Sequence, residues 1–447
     1  MRILRTLLMF GVWLALAIPA AAQTNYILTV NPTNLQSVLT SHGLTVVKEL
    51  VDGTNCVYLV TSASSDANEV EVEVEKDLAV VGFEPERSVT FPELSGLTTP
   101  SLTQSTGVII DGLPGRTLIS YFGSTVPSNY VNQTAASVIR LNDARTATGL
   151  TGAGVVAVID TGADLSHPAL AGVLLPGYDF TRDAAGGNEL ADLDPVTAAT
   201  LQQSTGVIID STQSVVMVNA STAAILSQST GVIIDQMSNP ALGEFGHGTM
   251  VAGVVHLIAP TAKIMPLKAF TADGNTTLAN LVRAIYYAAD HGANVISMSF
   301  SMSQPSPIIQ SAIQYALGKN ITVIAASGND GLKTLVYPAA QGGVLGIAST
   351  TNDDQRSLFS NYGSGVTLFA APGEGVITTF PGGLYAAAWG TSFSTPMVSG
   401  AASLVLQAKP TAKPGDVING LSKTKQINNL GGNGRIDLYQ SLPLLLK

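Results

Sequence analysis

Residues 155–162 read Val-Val-Ala-Val-Ile-Asp-Thr-Gly, a short apolar run that ends on a carboxylate and a glycine. Further short apolar runs follow along the chain, each ending near small or polar residues: Ile264–Leu267, Val295–Met298, Thr322–Ala326 and Val344–Ala348. Helical patterns lie between several of these runs, namely Leu278–His291 and Pro307–Lys319. Strands that alternate with helices predict an α/β fold, a doubly wound parallel sheet with helices on both faces. In such a fold the chemistry lies at the carboxyl ends of the strands.

Four segments carry the side chains that peptide-bond hydrolysis by a serine needs: a nucleophilic hydroxyl, a base, a carboxylate that orients the base, and an oxyanion donor. Asp160 ends the first strand, His247 lies between two glycines, and Asn329 follows the strand at 322–326. Ser392 heads an apolar helix, where unpaired N–H groups favour a negative charge. Taken singly, each has an ordinary structural explanation, because aspartates form turns and serines cap helices.

Together, in the order Asp, His, Asn, Ser, these segments resemble the subtilisin family (subtilases), from about Val138 to the C terminus. The resemblance implies a serine endopeptidase that acts on polypeptides through a covalent acyl-enzyme. In that reading Asp160 orients His247, which serves as general base and then acid, and Ser392 attacks the peptide carbonyl. The amide of Asn329 and the backbone N–H of Ser392 form the oxyanion hole.

Ser299, Phe300 and Ser301 resemble the family's edge segment, which pairs with an extended substrate backbone. Ser301 replaces the glycine that is usual in the family. Val336 aligns with a pocket-floor position that smaller residues often hold. We therefore predict a shallow primary pocket that prefers small or medium apolar side chains.

The first 22 residues have the build of a secretory signal. Arg2 and Arg5 precede the apolar run Leu7–Ile18, and Ala20–Ala22 supply an A-x-A cleavage site. The run is short of the roughly 20 residues that span a bilayer, so we expect cleavage after Ala22 and no stable membrane anchor. We therefore expect a secreted or extracytoplasmic protein, in the periplasm or the extracellular medium.

Residues 23–91 predict a small α+β unit in the order β-α-β-β-α-β. Its one ambiguous element is Glu69–Glu75, where Glu and Val alternate with the period of a strand although the position suits a helix. The unit resembles the subtilase propeptide, an inhibitor and chaperone of ferredoxin-like shape, and this resemblance favours the helix. It implies an autoprocessed zymogen, with the propeptide as an intramolecular partner of the catalytic domain.

Residues 92–137, rich in Ser, Thr, Pro and Gly, are predicted to be a linker or N-terminal arm before the catalytic domain at 138–447. We expect the maturation site between Phe91 and about Ala136. One octapeptide occurs three times, as Gln104–Asp111, Gln203–Asp210 and Gln228–Asp235. Its last two copies lie in an insertion at about 195–240. We interpret the copies as duplicated strands that could pair with one another, and no functional role follows from their sequence.

The overall composition excludes several classes of function. The chain of 447 residues carries a net charge of −10 and has no Lys/Arg cluster, which argues against nucleic-acid binding. Its single cysteine, Cys56, rules out an internal disulfide and argues against a thiol nucleophile or a thiolate metal site. We expect a monomer.

No metal and no other cofactor is predicted. The helix after His247 runs on without the Asn-bearing loop that gives many subtilases a calcium site. Four aspartates could bind calcium, although surface carboxylates are mostly only solvated: Asp192, Asp194, Asp353 and Asp354.

Two alternatives remain beside the active enzyme. One is a catalytically silent exported binding or scaffold protein of the same fold, against which the intact Asp160, His247, Asn329 and Ser392 count. The other is the related class of acid peptidases that pair Ser with Glu and Asp. That class requires a glutamate at the base position, where this chain has His247.

Overall fold

The computed structural model describes residues 24–53, 56–62, 64, 66–91, 107–109, 117–194, 232–233 and 244–447. The predicted signal sequence, the middle octapeptide and most of the predicted insertion lie outside the described residues. The chain divides into two compact units. The smaller unit comprises residues up to 85 except 50–53, and the larger one comprises 50–53 and 86–447.

The smaller unit has the predicted β-α-β-β-α-β order. Its elements are β1 (Thr24–Val30), α1 (Leu35–His42), β2 (Leu44–Val51), β3 (Cys56–Ser62), α2 (Ala67–Glu75) and β4 (Val80–Pro85). The sheet order is β2-β3-β1-β4, with β1 antiparallel to both β3 and β4. Tyr26 and Phe83 stack in its core with ring centroids 4.7 Å apart, and Cys56 is buried in the same cluster.

The alternating Glu-Val run forms helix α2. The Asp66 side chain caps the helix by accepting a hydrogen bond from Glu69 N at 3.1 Å. Val70 and Val74 are 9% and 1% exposed, whereas Val72 is 51% exposed. A strand would place all three valines on one face, but a helix turns only residues four apart towards the same side. The helix favoured for this run is therefore confirmed.

The larger unit contains the remaining elements. Its strands are β5 (Ser88–Thr90), β6 (Gly107–Ile109), β7 (Leu118–Tyr121), β8 (Ser124–Pro127), β9 (Val155–Asp160), β10 (Tyr178–Asp179), β11 (Ala184–Ala185), β12 (Val232–Ile233), β13 (Lys263–Lys268), β14 (Asn275–Thr277), β15 (Val295–Met298), β16 (Thr322–Ala326), β17 (Leu345–Thr350), β18 (Phe369–Pro372), β19 (Val376–Phe380), β20 (Leu384–Ala388), β21 (Thr424–Lys425) and β22 (Arg435–Ile436). Its helices are α3 (Ser128–Val131), α4 (Thr134–Val138), α5 (Leu141–Thr148), α6 (His247–Ile258), α7 (Leu278–Asp290), α8 (Pro307–Gly318), α9 (Thr391–Ala408), α10 (Pro414–Gly420) and α11 (Leu438–Ser441). Over the described ranges, no helix combines the length and the apolar character needed to cross a membrane.

One large sheet organises this unit, in the order β11-β10-β13-β9-β15-β16-β17-β18-β22-β21. From β10 to β22 neighbouring strands run parallel, and only the short edge strands β11 and β21 are antiparallel to their neighbours. Helices α6 and α9 pack on each other and on central strands. Helices α7 and α8 also pack on each other and on strands of the sheet, which is covered by helices on both sides. The predicted doubly wound α/β fold is confirmed.

The described part of the predicted arm packs into the core of the larger unit. Strands β7 and β8 form a hairpin, and the side chains of Tyr121 and Tyr130 are buried. Their hydroxyls donate to the carbonyl oxygens of Leu257, at 2.8 Å, and Gly253, at 2.7 Å, both in helix α6. Residues 117–137 are therefore anchored on the helix that begins with His247.

Two of the three octapeptides supply paired strands. Strand β6 belongs to the first copy and β12 to the third, and they are antiparallel, with Ile109 opposite Val232. Strand β6 also pairs with β20, so both copies extend the β19–β20 hairpin into a four-stranded sheet. The expectation that copies pair with one another holds for these two.

Candidate active site

Three neighbouring parallel strands end at one edge of the large sheet. Asp160 is the last residue of β9, Ser299 follows β15, and Asn329 lies shortly after β16. Because these strands are adjacent and parallel, their carboxyl ends bring the three side chains to the same region. The sequence pattern predicted this placement.

The Asp160 carboxylate and the His247 imidazole are in direct contact. His247 Nδ1 lies 2.7 Å from Asp160 Oδ1, and both side chains are buried. Gly246, which precedes helix α6, has a φ of 94°, a backbone conformation that favours glycine. A Cβ on Gly248 would lie 2.0 Å from the carbonyl oxygen of Gly162. The two glycines that flank His247 therefore allow its turn to pack directly on the turn that follows Asp160.

Ser392 is the second residue of helix α9 and is buried. Its Oγ donates to the carbonyl oxygen of Ser299 at 3.0 Å, and Ser299 Oγ donates to the carbonyl oxygen of Ser392 at 2.9 Å. The adjacent Phe393 contacts the imidazole of His247, with ring centroids 5.5 Å apart. These contacts bring the N terminus of α9 to the sheet edge that carries Asp160 and His247.

The Asn329 amide is oriented by the residue next to the predicted nucleophile. Its Oδ1 accepts hydrogen bonds from the backbone N–H and the hydroxyl of Thr391, both at 2.9 Å. The acceptor end of the amide is thereby fixed on Thr391, and the NH₂ end is the one that can donate. This orientation is the one that an oxyanion donor requires.

The four predicted substrate-binding residues do not share one surface. Ser301 and Val336 line a cavity of about 340 Å³ together with Asp330, which the sequence analysis did not single out. Ser299 contacts Ser392 instead, and Phe300 packs in a cluster of buried aromatic rings. Val336 is itself buried, so its side chain reduces the space at this end of the cavity.

Residues 86–91 cover part of the site. Strand β5 pairs antiparallel with β14, with Val89 opposite Thr276, and Phe91 N donates to the carbonyl oxygen of Gly274 at 3.0 Å. The Phe91 ring is fully buried, and its centroid lies 5.0 Å from that of His247. This short strand therefore places an aromatic ring against the imidazole.

Glu189 is a candidate that sequence analysis missed. It lies in the short helical turn Glu189–Asp192, is fully buried, and accepts hydrogen bonds from Thr161, Gly246 and Thr249. Burial raises the pKa of this carboxyl to about 7. A single glutamate in a loop belongs to no motif and no periodic pattern, so no sequence signal pointed to it.

Two of the aspartates considered for calcium are paired with cations of the chain. Asp192 accepts from Lys268 and Arg182, and Asp354 forms a two-point ion pair with Arg435 at 2.7 and 3.0 Å. The charge of these carboxylates is therefore already compensated by the chain.

Several known proteins are similar to this chain. The family model described as "Subtilase family" matches residues 152–437. Subtilisin BL from Lederbergia lenta is 33% identical over 204 residues, which cover 43% of this chain and 76% of that protein. Thermitase from Thermoactinomyces vulgaris is 29% identical over 299 residues, covering 64% of this chain and 88% of that protein. A crystal structure of a cold adapted subtilisin-like serine proteinase aligns with a TM-score of 0.48 and 24% identity, covering 64% of this chain and 88% of that one.

Proposed function

Because the chain belongs to the subtilase family and is a serine-type endopeptidase, we propose that it is exported as an autoprocessed zymogen and cleaves polypeptides through an acyl-enzyme on Ser392. The observation that carries the proposal is the 2.7 Å contact between His247 Nδ1 and Asp160 Oδ1, near the N terminus of helix α9. That contact is the geometry by which a carboxylate orients a general base.

Asp160 fixes the tautomer of His247. The proton on Nδ1 faces Asp160 Oδ1, so Nε2 carries the lone pair. Nε2 takes the proton of Ser392 as the hydroxyl attacks the peptide carbonyl, and then gives that proton to the leaving amine. Water hydrolyses the acyl-enzyme by the same steps, while Asp160 stays ionised and stabilises the imidazolium.

The oxyanion of the tetrahedral intermediate is bound by Asn329 and the backbone N–H of Ser392. The orientation of the Asn329 amide on Thr391 supports this role, because it leaves the NH₂ group as the donor. Ser392 also lies in the first turn of α9, where the helix dipole favours negative charge. Donors held in place before the reaction lose no energy to reorganisation during it.

Substrates pair with Ser299–Ser301 in extended form, and their primary side chain enters the cavity beside Val336. Strand β14 pairs antiparallel with β5 in this structure, and this pairing supports a second backbone contact, between β14 and the other side of the substrate. Since Val336 is buried at that cavity, small or medium apolar side chains fit best. The enzyme acts as a monomer and needs no metal or other cofactor for these steps.

Residues 86–91 are the part of the propeptide that inhibits the zymogen. Phe91 supports this assignment, because its ring packs on His247 and its N–H is held by Gly274. Cleavage between Phe91 and about Ala136 frees the segment from the catalytic domain. The smaller unit, with its predicted ferredoxin-like order of elements, supplies the chaperone part, and residues 1–22 direct export.

Expression of the full chain, beside a Ser392→Ala variant, tests this function. We expect the wild-type chain to appear in the extracytoplasmic fraction and to hydrolyse an unstructured protein such as casein. Its new N terminus, read by sequencing, should lie after Phe91. The Ser392→Ala chain should be exported and lose residues 1–22 but remain unprocessed at the second site. A folded wild-type chain without hydrolysis would favour the silent scaffold instead.

A further inference from the structure

Glu189 accepts four hydrogen bonds that come from two turns of the site. The hydroxyl of Thr161, next to Asp160, donates to Oε1. Gly246 N donates to the same oxygen at 2.7 Å, and Thr249 donates to Oε2 through its N–H, at 3.1 Å, and its hydroxyl. Gly246 and Thr249 lie on either side of His247. Glu189 therefore joins the turn that carries Asp160 to the turn that carries His247.

The hydroxyl of Thr249 has Glu189 as its acceptor. The hydroxyl of Thr161 reaches two acceptors, Glu189 Oε1 at 2.5 Å and Asp160 Oδ1 at 3.3 Å, and the shorter contact is to Glu189. Thr161 Oγ1 already accepts from Gly248 N at 2.8 Å, and Thr249 Oγ1 accepts from Asp164 N at 2.8 Å. Gly246 N and Thr249 N can act only as donors, one to each oxygen of Glu189, and the two hydroxyls are placed to donate as well. An ionised carboxylate has only acceptor sites and can satisfy four donors at once, whereas a protonated one would have to turn its own hydrogen towards one of the two hydroxyls, which would then no longer donate to it.

We propose that Glu189 is a positioning residue of the catalytic pair, which holds the His247 turn on the Asp160 turn only while its carboxyl group is ionised. The inference deepens the proposed function and rests on it, because it concerns the same Asp160 and His247. Glu189 contacts neither substrate nor reacting atoms in this account.

The surroundings of Glu189 place its protonation in the neutral range. Burial raises the pKa of the carboxyl to about 7. The hydroxyl donors and the charge of Lys268 on β13 lower this pKa, whereas the charge of Asp160 on β9 raises it. Further charged or titratable groups lie on the elements around it: His247 and His256 on α6, Lys263 on β13, Asp164 in the turn after β9, and Asp192 on its own turn, which binds Lys268. Proton uptake would remove an acceptor that four donors share, and would release the two turns from each other.

A proton NMR titration of the His247 Nδ1–H signal tests the inference in the full-length Ser392→Ala chain, between about pH 5 and 9. The parent should show two titration steps, one for Glu189 and one for the imidazole. In the Glu189→Gln variant, whose NH₂ group faces two donors, we expect one step. Superimposable curves for parent and variant would overturn the proposal. This measurement needs no turnover, so it is independent of whether the wild-type chain hydrolyses peptides.

Two further variants keep the inference testable if the Glu189→Gln chain does not fold. Glu189→Asp keeps the charge but shortens the reach, so two steps should persist with the Glu189 step displaced; an undisplaced step would contradict the proposal. Asp416→Asn removes a partly exposed carboxylate of α10, distant in sequence from the site, and its curve should match the parent. A curve altered to the same extent as in Glu189→Gln would mean that the change reports only net charge.

In the active enzyme, the protonation of Glu189 and that of His247 together determine how kcat/KM falls at acid pH. With two groups that must both be deprotonated, log kcat/KM should fall with a slope of two at low pH, and with a slope of one in Glu189→Gln. The plateau value of kcat/KM in Glu189→Gln should be about tenfold to hundredfold lower than in the wild type, because buried donors lose their acceptor. A wild-type slope of one, unchanged in the variant, would contradict the proposal.

Discussion

The ring of Phe91 lies against the imidazole of His247, with centroids 5.0 Å apart, and is fully buried. The same ring contacts Phe270 at a centroid distance of 4.4 Å. A side chain in this position restricts access to the base that is proposed to activate Ser392. Removal of that ring is therefore the most specific test of the proposed inhibition by residues 86–91.

In freshly isolated chain that has not yet been processed, Phe91→Ala should increase the rate at which a fluorophosphonate labels Ser392. Truncation of a buried phenylalanine costs about 3–5 kcal/mol of packing, so we expect an increase of about tenfold or more. Val72→Ala, at an exposed position of α2, is the matched control and should label at the parental rate. Equal rates in Phe91→Ala and the control would mean that Phe91 does not restrict the site.

Replacement of Asp160 by asparagine tests the orientation of the base. The asparagine NH₂ group cannot accept the Nδ1 proton in the same way, so the imidazole loses the tautomer that accepts from Ser392. We expect kcat to fall by about four orders of magnitude, as is typical of Ser-His-Asp triads. The measurement is kcat on a peptide substrate. A value within tenfold of the wild type would exclude the assigned role.

Asn329→Ala should lower kcat by about 10²–10³-fold and leave KM nearly unchanged, because the donor acts on charge that develops in the transition state. Thr391→Val, which removes one of the two hydrogen bonds that orient the amide, should have a smaller effect of the same kind. A rise in KM with constant kcat would instead indicate a role in ground-state binding.

Val336→Gly should deepen the primary pocket. Since Val336 is buried at the cavity beside Ser301, removal of its side chain makes room for larger groups. We expect kcat/KM for Phe and Tyr at the cleaved position to rise relative to Ala by about tenfold, the size typical of a few methylene groups in a pocket. A peptide-library profile of the wild type that is already dominated by Phe or Tyr would contradict this prediction.

His256 should make the protein less stable in acid. Neither ring nitrogen has a hydrogen-bond partner among the described residues, and burial lowers its pKa to about 4. The unfolded chain binds the proton more tightly, so stability is complete above pH 6.5 and is lost as pH falls towards 4. Between pH 8 and 5 this loss amounts to about 2 kcal/mol.

Urea unfolding of the Ser392→Ala chain at pH 8 and pH 5 measures this loss. A further His256→Leu substitution should reduce the difference in unfolding free energy between the two pH values. His291→Leu, at an exposed position, should leave it unchanged. An equal pH dependence with and without His256 would rule out its contribution.

The local sequence was sufficient to predict those strands and helices whose pattern of apolar residues has only one interpretation. Runs such as Thr322–Ala326 are almost entirely apolar because both faces of a parallel strand are covered, so the sheet and the residues at its carboxyl edge were predictable. For the Glu-Val run at 69–75, the period of the sequence did not decide between a strand and a helix. Tertiary packing of Val70 and Val74, together with the Asp66 cap, gives the helix.

The parts of the site that were missed depend on contacts between distant segments. Glu189 meets Gly246, 57 positions away, only because the large sheet brings their turns together. Phe91 reaches His247 through the pairing of β5 with β14, which joins segments separated by most of the arm and the insertion. Likewise, the side chain of Phe300 packs in the aromatic core, a contact that the local sequence did not indicate.

The central claim is that Ser392 is a nucleophile activated by His247 and Asp160. Incubation of the processed, full-activity preparation with a fluorophosphonate, followed by peptide mass spectrometry, measures this directly. We predict one covalent adduct, on Ser392, which is absent from Ser392→Ala and formed far more slowly by Asp160→Asn. A folded wild-type protein that forms no adduct, or that carries it on another residue, would contradict the account.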